Sequence, residues 1–169
     1  MKNNLKKQKG FTLIELIVFM GMFSILILAL FQLLVSIFDV QLEAQSTASV
    51  TQDGRYILNR FAYDVKNSTT IISPNLGATS QSLVMSDGTT TYTYSLSSGN
   101  LNLTNNTTGI TDQLNSINTT VPDLSFLRLS DTNGKNINTI TVTFTLNSKT
   151  IRRNGANTEN FKTTAGIRK

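Results

Sequence analysis

The sequence predicts an α+β fold, with one long N-terminal helix packed on a mainly antiparallel β-sheet. Three patterns in the 169 residues carry that expectation. Leu16 to Phe38 is a run of 23 residues without a charge or a proline. From Asp39 to Asn67, apolar side chains recur at three-, four- and seven-residue spacings with polar ones between them, which is the pattern of an amphipathic helix. From Ile137 to Leu146, apolar side chains alternate with threonines, which is the pattern of a strand with one face packed and one wet.

The first element is the apolar half of the helix. Phe11 to Phe38 holds a single charge, Glu15. At 1.5 Å per residue the charge-free stretch is about 35 Å long, enough to cross a hydrocarbon core of about 30 Å. A cleaved secretory signal would have an apolar region of only about 7–15 residues followed by small residues. Val35-Ser36-Ile37-Phe38 does not supply such a site, so the run is expected to stay as an anchor. Lys2, Lys6, Lys7 and Lys9 precede it with no acid among them, the positive-inside signature of a membrane segment. Residues 39–169 hold 11 basic and 9 acidic side chains. The net charge of +5 therefore belongs mostly to the N-terminal tag. No direct nucleic-acid binding is expected from it.

The second element is the amphipathic half. Ala44, Ala48, Val50, Ile57, Leu58, Phe61 and Val65 form its apolar face, and Asp39, Glu43, Gln45, Gln52, Asp53, Arg60, Asp64 and Lys66 fill the other. One continuous helix from about Phe11 to about Asn67 is the simplest reading, with Gly54 marking a bend. The rest is β-rich. Ser73 to Gly77 is a loop and Ser82–Ser86 a short strand. Asp87-Gly88 is a turn, followed by an alternating strand over Thr91–Leu96. Ser97-Ser98-Gly99-Asn100 is the next turn and Leu101–Thr104 the next strand. The stretch with Ile110, Leu114 and Ile117 fits a short helix or a loop. Leu124–Leu129 is a strand, Thr132–Lys135 a turn and Ile137–Leu146 a longer strand. The tail from Lys149 is polar, with a last strand near Phe161–Ile167. Four regions result: a basic leader (1–10), a membrane-crossing helix (11–38), its amphipathic continuation (39–67) and a β-rich domain (68–169).

Composition removes most enzyme classes. There is no His and no Cys. That excludes disulfides, Cys or His zinc sites, Ser-His-Asp and Cys-His nucleophiles and CxxC redox centres. Asp87, Asp112, Asp123, Asp131 and Glu159 all stand in turn-like or polar contexts where Asp is expected for local reasons. Asp131-Thr132-Asn133-Gly134 lacks the acids that would complete a calcium loop and reads as a hairpin turn. No phosphate loop is present. The chain is expected to be no enzyme and to need no metal or cofactor.

The decisive motif is Lys9-Gly10-Phe11-Thr12-Leu13-Ile14-Glu15 followed by the apolar run. It resembles the N-terminus of type IV filament proteins, the type IV pilins and the pseudopilins of type II secretion. The resemblance implies a pilin-like fold and cleavage between Gly10 and Phe11 by a membrane-embedded prepilin peptidase. It also implies N-methylation of the new Phe11 amine and assembly into a filament. The implied partners are that peptidase, sister major and minor subunits contacted through the N-terminal helix, membrane lipid and an inner-membrane assembly platform. Asp53 to Val65, with Arg55, Arg60 and Asp64, resembles the late-helix segment of J-type minor pseudopilins and W-type minor pilins. For Arg55, Arg60 and Asp64, a solvated helix face and a specific contact both stay open.

Glu15 also stands out on physical grounds. A carboxylate at membrane depth costs about 2.5–3.5 kcal/mol on insertion scales and needs a partner. Cleavage would create one, the α-amine of Phe11, either in the same chain or in a neighbour. Gly21, Ser24 and Ala29 are small enough to permit close helix approach, and Gln32 is an amide in an apolar surface. The other reading of the chain is a single-pass membrane-anchored binding or adhesion protein that keeps Met1.

Overall fold

The structure, a computed structural model, describes residues 10–130 and 136–167. Among the described residues it contains one helix, α1 (Leu13–Asn67), and ten strands. In chain order these are β1 (Thr70–Ser73), β2 (Thr79–Ser80), β3 (Leu83–Ser86), β4 (Thr91–Ser97), β5 (Asn100–Asn105), β6 (Ile110–Gln113), β7 (Thr119–Thr120), β8 (Leu124–Ser130), β9 (Asn136–Arg152) and β10 (Gly155–Gly166). The fold is α+β, with α1 packed on antiparallel sheets. By its contacts the chain divides into Met1–Gln41 and Leu42–Lys169.

The strands form two sheets. One has the order β1-β3-β4-β5-β6; the other has β10-β9-β8-β2, with β7 pairing β9. All pairings are antiparallel. Short turns set the registers. At the β4–β5 hairpin, Ser98 and Gly99 both have positive φ, 50° and 75°. That is the two-residue geometry whose twist suits paired strands.

The core is shared between the helix and both sheets. Alternation in β9 buries Ile140, Val142, Phe144 and Leu146, and the helix supplies Val50, Ile57, Phe61 and Val65 to the same cluster. Phe61 is the junction. Its ring centroid lies 6.3 Å from that of Tyr94 in β4 and 6.1 Å from that of Phe126 in β8. The expectation that the amphipathic half covers the packed face of the long strand agrees with this cluster. The buried helical positions run 46, 50, 53, 54, 57, 61 and 65. Ala44 and Ala48 are exposed, so the packed face is rotated away from them.

The structure changes several expectations and gives Gly54 a packing role. Asp53, assigned to the wet face, is buried because Ser116 N–H and the Thr119 hydroxyl donate to its Oδ2 at 2.8 and 2.5 Å. Gly54 lies inside the continuous helix and seats Phe161. A Cβ there would overlap the Phe161 ring, which stacks on Phe144 at 5.3 Å. The missing side chain makes room for that ring, which accounts for a residue costing about 1 kcal/mol in a helix interior. Ile110–Gln113 is a strand, completing the edge of β5. The polar tail is the end of a long β9–β10 hairpin that turns after Arg152. The threonine side of β9 is also less wet than its spacing implied. Thr141 is buried, and its hydroxyl shares a hydrogen bond of 2.8 Å with that of Thr164. The predicted turn at Thr132–Lys135 lies outside the described residues.

Candidate functional site

The described N-terminal segment starts as exposed, non-helical chain and becomes helix at Leu13. Thr12 sets that boundary. Its Oγ1 accepts the Glu15 N–H at 3.3 Å, and its carbonyl accepts the Leu16 N–H at 3.2 Å. Thr12 is thus the N-cap of α1, and Thr12-Leu13-Ile14-Glu15 has the spacing of a capping box. This role was missed in the sequence, although the Thr-x-x-Glu signal was there. Glu15 stands in the first turn, where the helix dipole favours a negative charge.

The cap also fixes the state of the bond ahead of it. Gly10 and Phe11 lie outside the helix and are exposed, Phe11 to 80%. Nothing lies within 4 Å of where a Cβ of Gly10 would stand. The Gly10–Phe11 peptide bond is therefore open to a protease without unwinding the helix. Glu15 is exposed, and its carboxylate has no hydrogen-bond or ion-pair partner among the described residues. Lys2, Lys6, Lys7 and Lys9 lie outside the described residues.

Behind this head every residue from Gly10 to Phe38 is exposed. An apolar surface on all sides of a helix is the character of a segment surrounded by lipid or by other helices. Among the described residues, α1 is the one helix long and apolar enough to cross a membrane. Ser24 satisfies its own hydroxyl by donating to the Met20 carbonyl at 2.8 Å. Phe19 and Phe23 stack at 6.0 Å. Gln32 has no side-chain partner among the described residues, and Gly21 has open space beside it.

The later stretch singled out by sequence, Arg55 to Asp64, resolves into two different roles. Arg55 is exposed. Asp64 Oδ2 accepts from Arg60 Nε at 2.9 Å and from the Tyr94 hydroxyl at 2.6 Å. Tyr94 is fully buried. Burial, then the charge of Asp64, pushes its phenol pKa far above the ordinary value, so it stays a donor. Hydrogen bonding to Asp64 likewise raises the Arg60 pKa. This is a pin between helix and sheet. The acids considered for chemistry do not converge: no three His, Cys, Asp or Glu side chains among the described residues group as metal ligands would. Asp87 Oδ1 accepts the N–H groups of Thr90 and Thr89 at 2.7 and 2.8 Å. Those bonds hold its carboxyl below the usual range, as a turn residue does.

Residues 5–31 match the family model of the prokaryotic N-terminal methylation motif. No curated protein and no solved structure gives a match to the chain. The matched segment takes in Gly10, Phe11, Thr12 and Glu15 and more than half of the exposed apolar run. That motif, at the head of a helix long enough to span a bilayer, is the mark of type IV pilin-like, prepilin-processed proteins, and it supports membership of the pilin and pseudopilin superfamily.

Proposed function

We propose that this chain is a minor pilin or pseudopilin, a structural subunit that initiates or caps a type IV pilus or a type II secretion pseudopilus. A prepilin peptidase removes residues 1–10 by cutting between Gly10 and Phe11, and the new Phe11 amine is methylated. Residues 11–38 hold the subunit in the cytoplasmic membrane, 39–67 continue the helix, and the β-rich domain of 68–169 stands outside the cytoplasm. The subunit then passes through an inner-membrane assembly platform into a filament of sister subunits. The loose likeness of Asp53–Val65 to J-type and W-type minor subunits supports the minor role.

The observation that carries this reading is the pairing of two features. An exposed Gly10–Phe11 bond stands ahead of a capped helix, and Glu15, whose carboxylate has no partner among the described residues, heads an apolar surface. Before cleavage, Phe11 offers only an amide. After cleavage it offers a cation, and in a low-dielectric setting that cation and Glu15 of a neighbour attract strongly. Docking an incoming subunit relieves the unpaired charge.

Substitution of Glu15 separates charge from capping. Gln also serves at the third position of a capping box, so Glu15→Gln keeps the helix start and removes the charge. A charge-assisted hydrogen bond contributes about 1.5–3 kcal/mol. Both Glu15→Gln and Glu15→Ala are therefore expected to mature normally while their recovery in sheared filaments falls by about tenfold to a hundredfold. Immunoblots of the filament and membrane fractions make the comparison. Wild-type incorporation of Glu15→Gln would show that the charge is dispensable.

A further inference from the structure

The register of the first sheet leaves a groove within the Leu42–Lys169 unit. Tyr92 stands opposite Asn105, and Asn105 opposite Ile110. Tyr94 stands opposite Leu103, and Leu103 opposite Asp112. The two rows share one face of the sheet, because side chains two apart along a strand point the same way. That face is buried at Tyr94 and Leu103 but exposed at Ile110 and Asp112. The sheet therefore runs one strand past its cover, and a gap remains between α1 and β6.

Two cavities of about 190 and 300 Å³ adjoin there, and Arg60 and Tyr92 line both. The smaller one adds Tyr63, Asp64 and Asp87. The larger adds Asn105, Ile110 and Asp112. The shared wall is held from behind. Arg60 Nε donates to Asp64 Oδ2 at 2.9 Å, and the buried Tyr94 hydroxyl donates to the same oxygen at 2.6 Å. Asp87 is fixed by the two turn N–H groups that its Oδ1 accepts. Other polar capacity is unspent. Among the described residues no hydrogen bond is made by Asp64 Oδ1, by the Tyr63 and Tyr92 hydroxyls or by the Asp112 carboxylate. Tyr63 is 65% exposed and Ile110 60%.

Charge selects the class of ligand. Arg60 stands where the two cavities meet, already paired with Asp64. A cation lying along the groove would meet the Arg60 guanidinium. An anion would meet Asp64, Asp87 and Asp112. An uncharged ligand avoids both costs. It needs apolar faces for Tyr63, Tyr92 and Ile110, and edges that both donate and accept hydrogen bonds. Sugar rings have that make-up, with C–H groups on their faces and hydroxyls around the rim. We propose that this groove binds a neutral oligosaccharide, one ring against Tyr63 in the smaller cavity and the next beside Tyr92 and Ile110 in the larger. Such a site serves a filament subunit and a lone membrane-anchored protein alike.

Saturation-transfer difference NMR tests this on the full chain, held in a zwitterionic detergent without a sugar headgroup. The probes are mono-, di- and trisaccharides of glucose, galactose and N-acetylglucosamine, with trilysine as a cationic peptide. At least one of the di- and trisaccharides is expected to receive saturation, most strongly at its ring C–H protons. Tyr63→Ser in the smaller cavity and Asp112→Ala in the larger should each weaken its binding about threefold to tenfold. Both side chains are exposed, and circular dichroism checks that each variant keeps the fold. Tyr56→Ser removes an exposed tyrosine that lines neither cavity and should leave binding unchanged. No transfer to any saccharide overturns the proposal, as does transfer to trilysine alone. Saccharide binding that survives either Tyr63→Ser or Asp112→Ala unchanged overturns it as well.

Discussion

Gly10→Arg is expected to leave the protein as an unprocessed precursor in the membrane, with mature protein and filament incorporation both falling below detection. The structure makes this substitution informative, because the fold does not need glycine at position 10. The residue is exposed, precedes the helix, and has nothing within 4 Å of the point where a side chain would begin. An arginine there disturbs no packing, no cap and no turn. Any block in maturation must then arise in the peptidase, whose cleft would have to accept the larger residue next to the cut bond. Mobility on a gel, read beside a circular dichroism spectrum of the purified precursor, separates the two causes. Normal maturation of Gly10→Arg would count against the peptidase reading.

The largest effect on stability is expected from Phe61→Ala. Phe61 is 1% exposed and touches aromatic rings of both sheets. Removing it leaves a hole between the helix, Tyr94 of β4 and Phe126 of β8. Truncations of buried Phe cost about 3–5 kcal/mol, against a total stability of about 5–15 kcal/mol for a typical domain. Denaturation of the full chain in detergent, followed by tyrosine fluorescence, should show a large loss in midpoint. A loss below about 1 kcal/mol would mean that the helix is not pinned to the sheets at this residue.

Much of this was legible because it depends on patterns within short windows. The charge-free run from Leu16 to Phe38 could be little other than an apolar helix, and the alternation of Ile140, Val142, Phe144 and Leu146 assigned the packed face of β9. What was not legible depends on partners distant in sequence. Asp53 looks like a surface residue until Ser116 and Thr119, more than sixty positions away, are seen to donate to it. Gly54 reads as a weak point in a helix until Phe161 fills the space above it. The open choice at Arg60 and Asp64 was settled by Tyr94, whose buried hydroxyl needs an acceptor. Other signals were present and overlooked. Asn154-Gly155 is a strong hairpin dipeptide, and Gly155 has φ of 94° there. At the candidate site, Gly10, Phe11 and Glu15 came from the motif, whereas Thr12, which positions them, came only with its hydrogen bonds.

The fate of the first ten residues decides between a filament subunit and any other membrane-anchored protein. Mass spectrometry of the N-terminal peptide from the membrane-bound protein reads this directly. The predicted result is a chain that begins at N-methylated Phe11 and retains the whole apolar helix. A chain that still begins at Met1, or one that has lost the apolar helix, would contradict it.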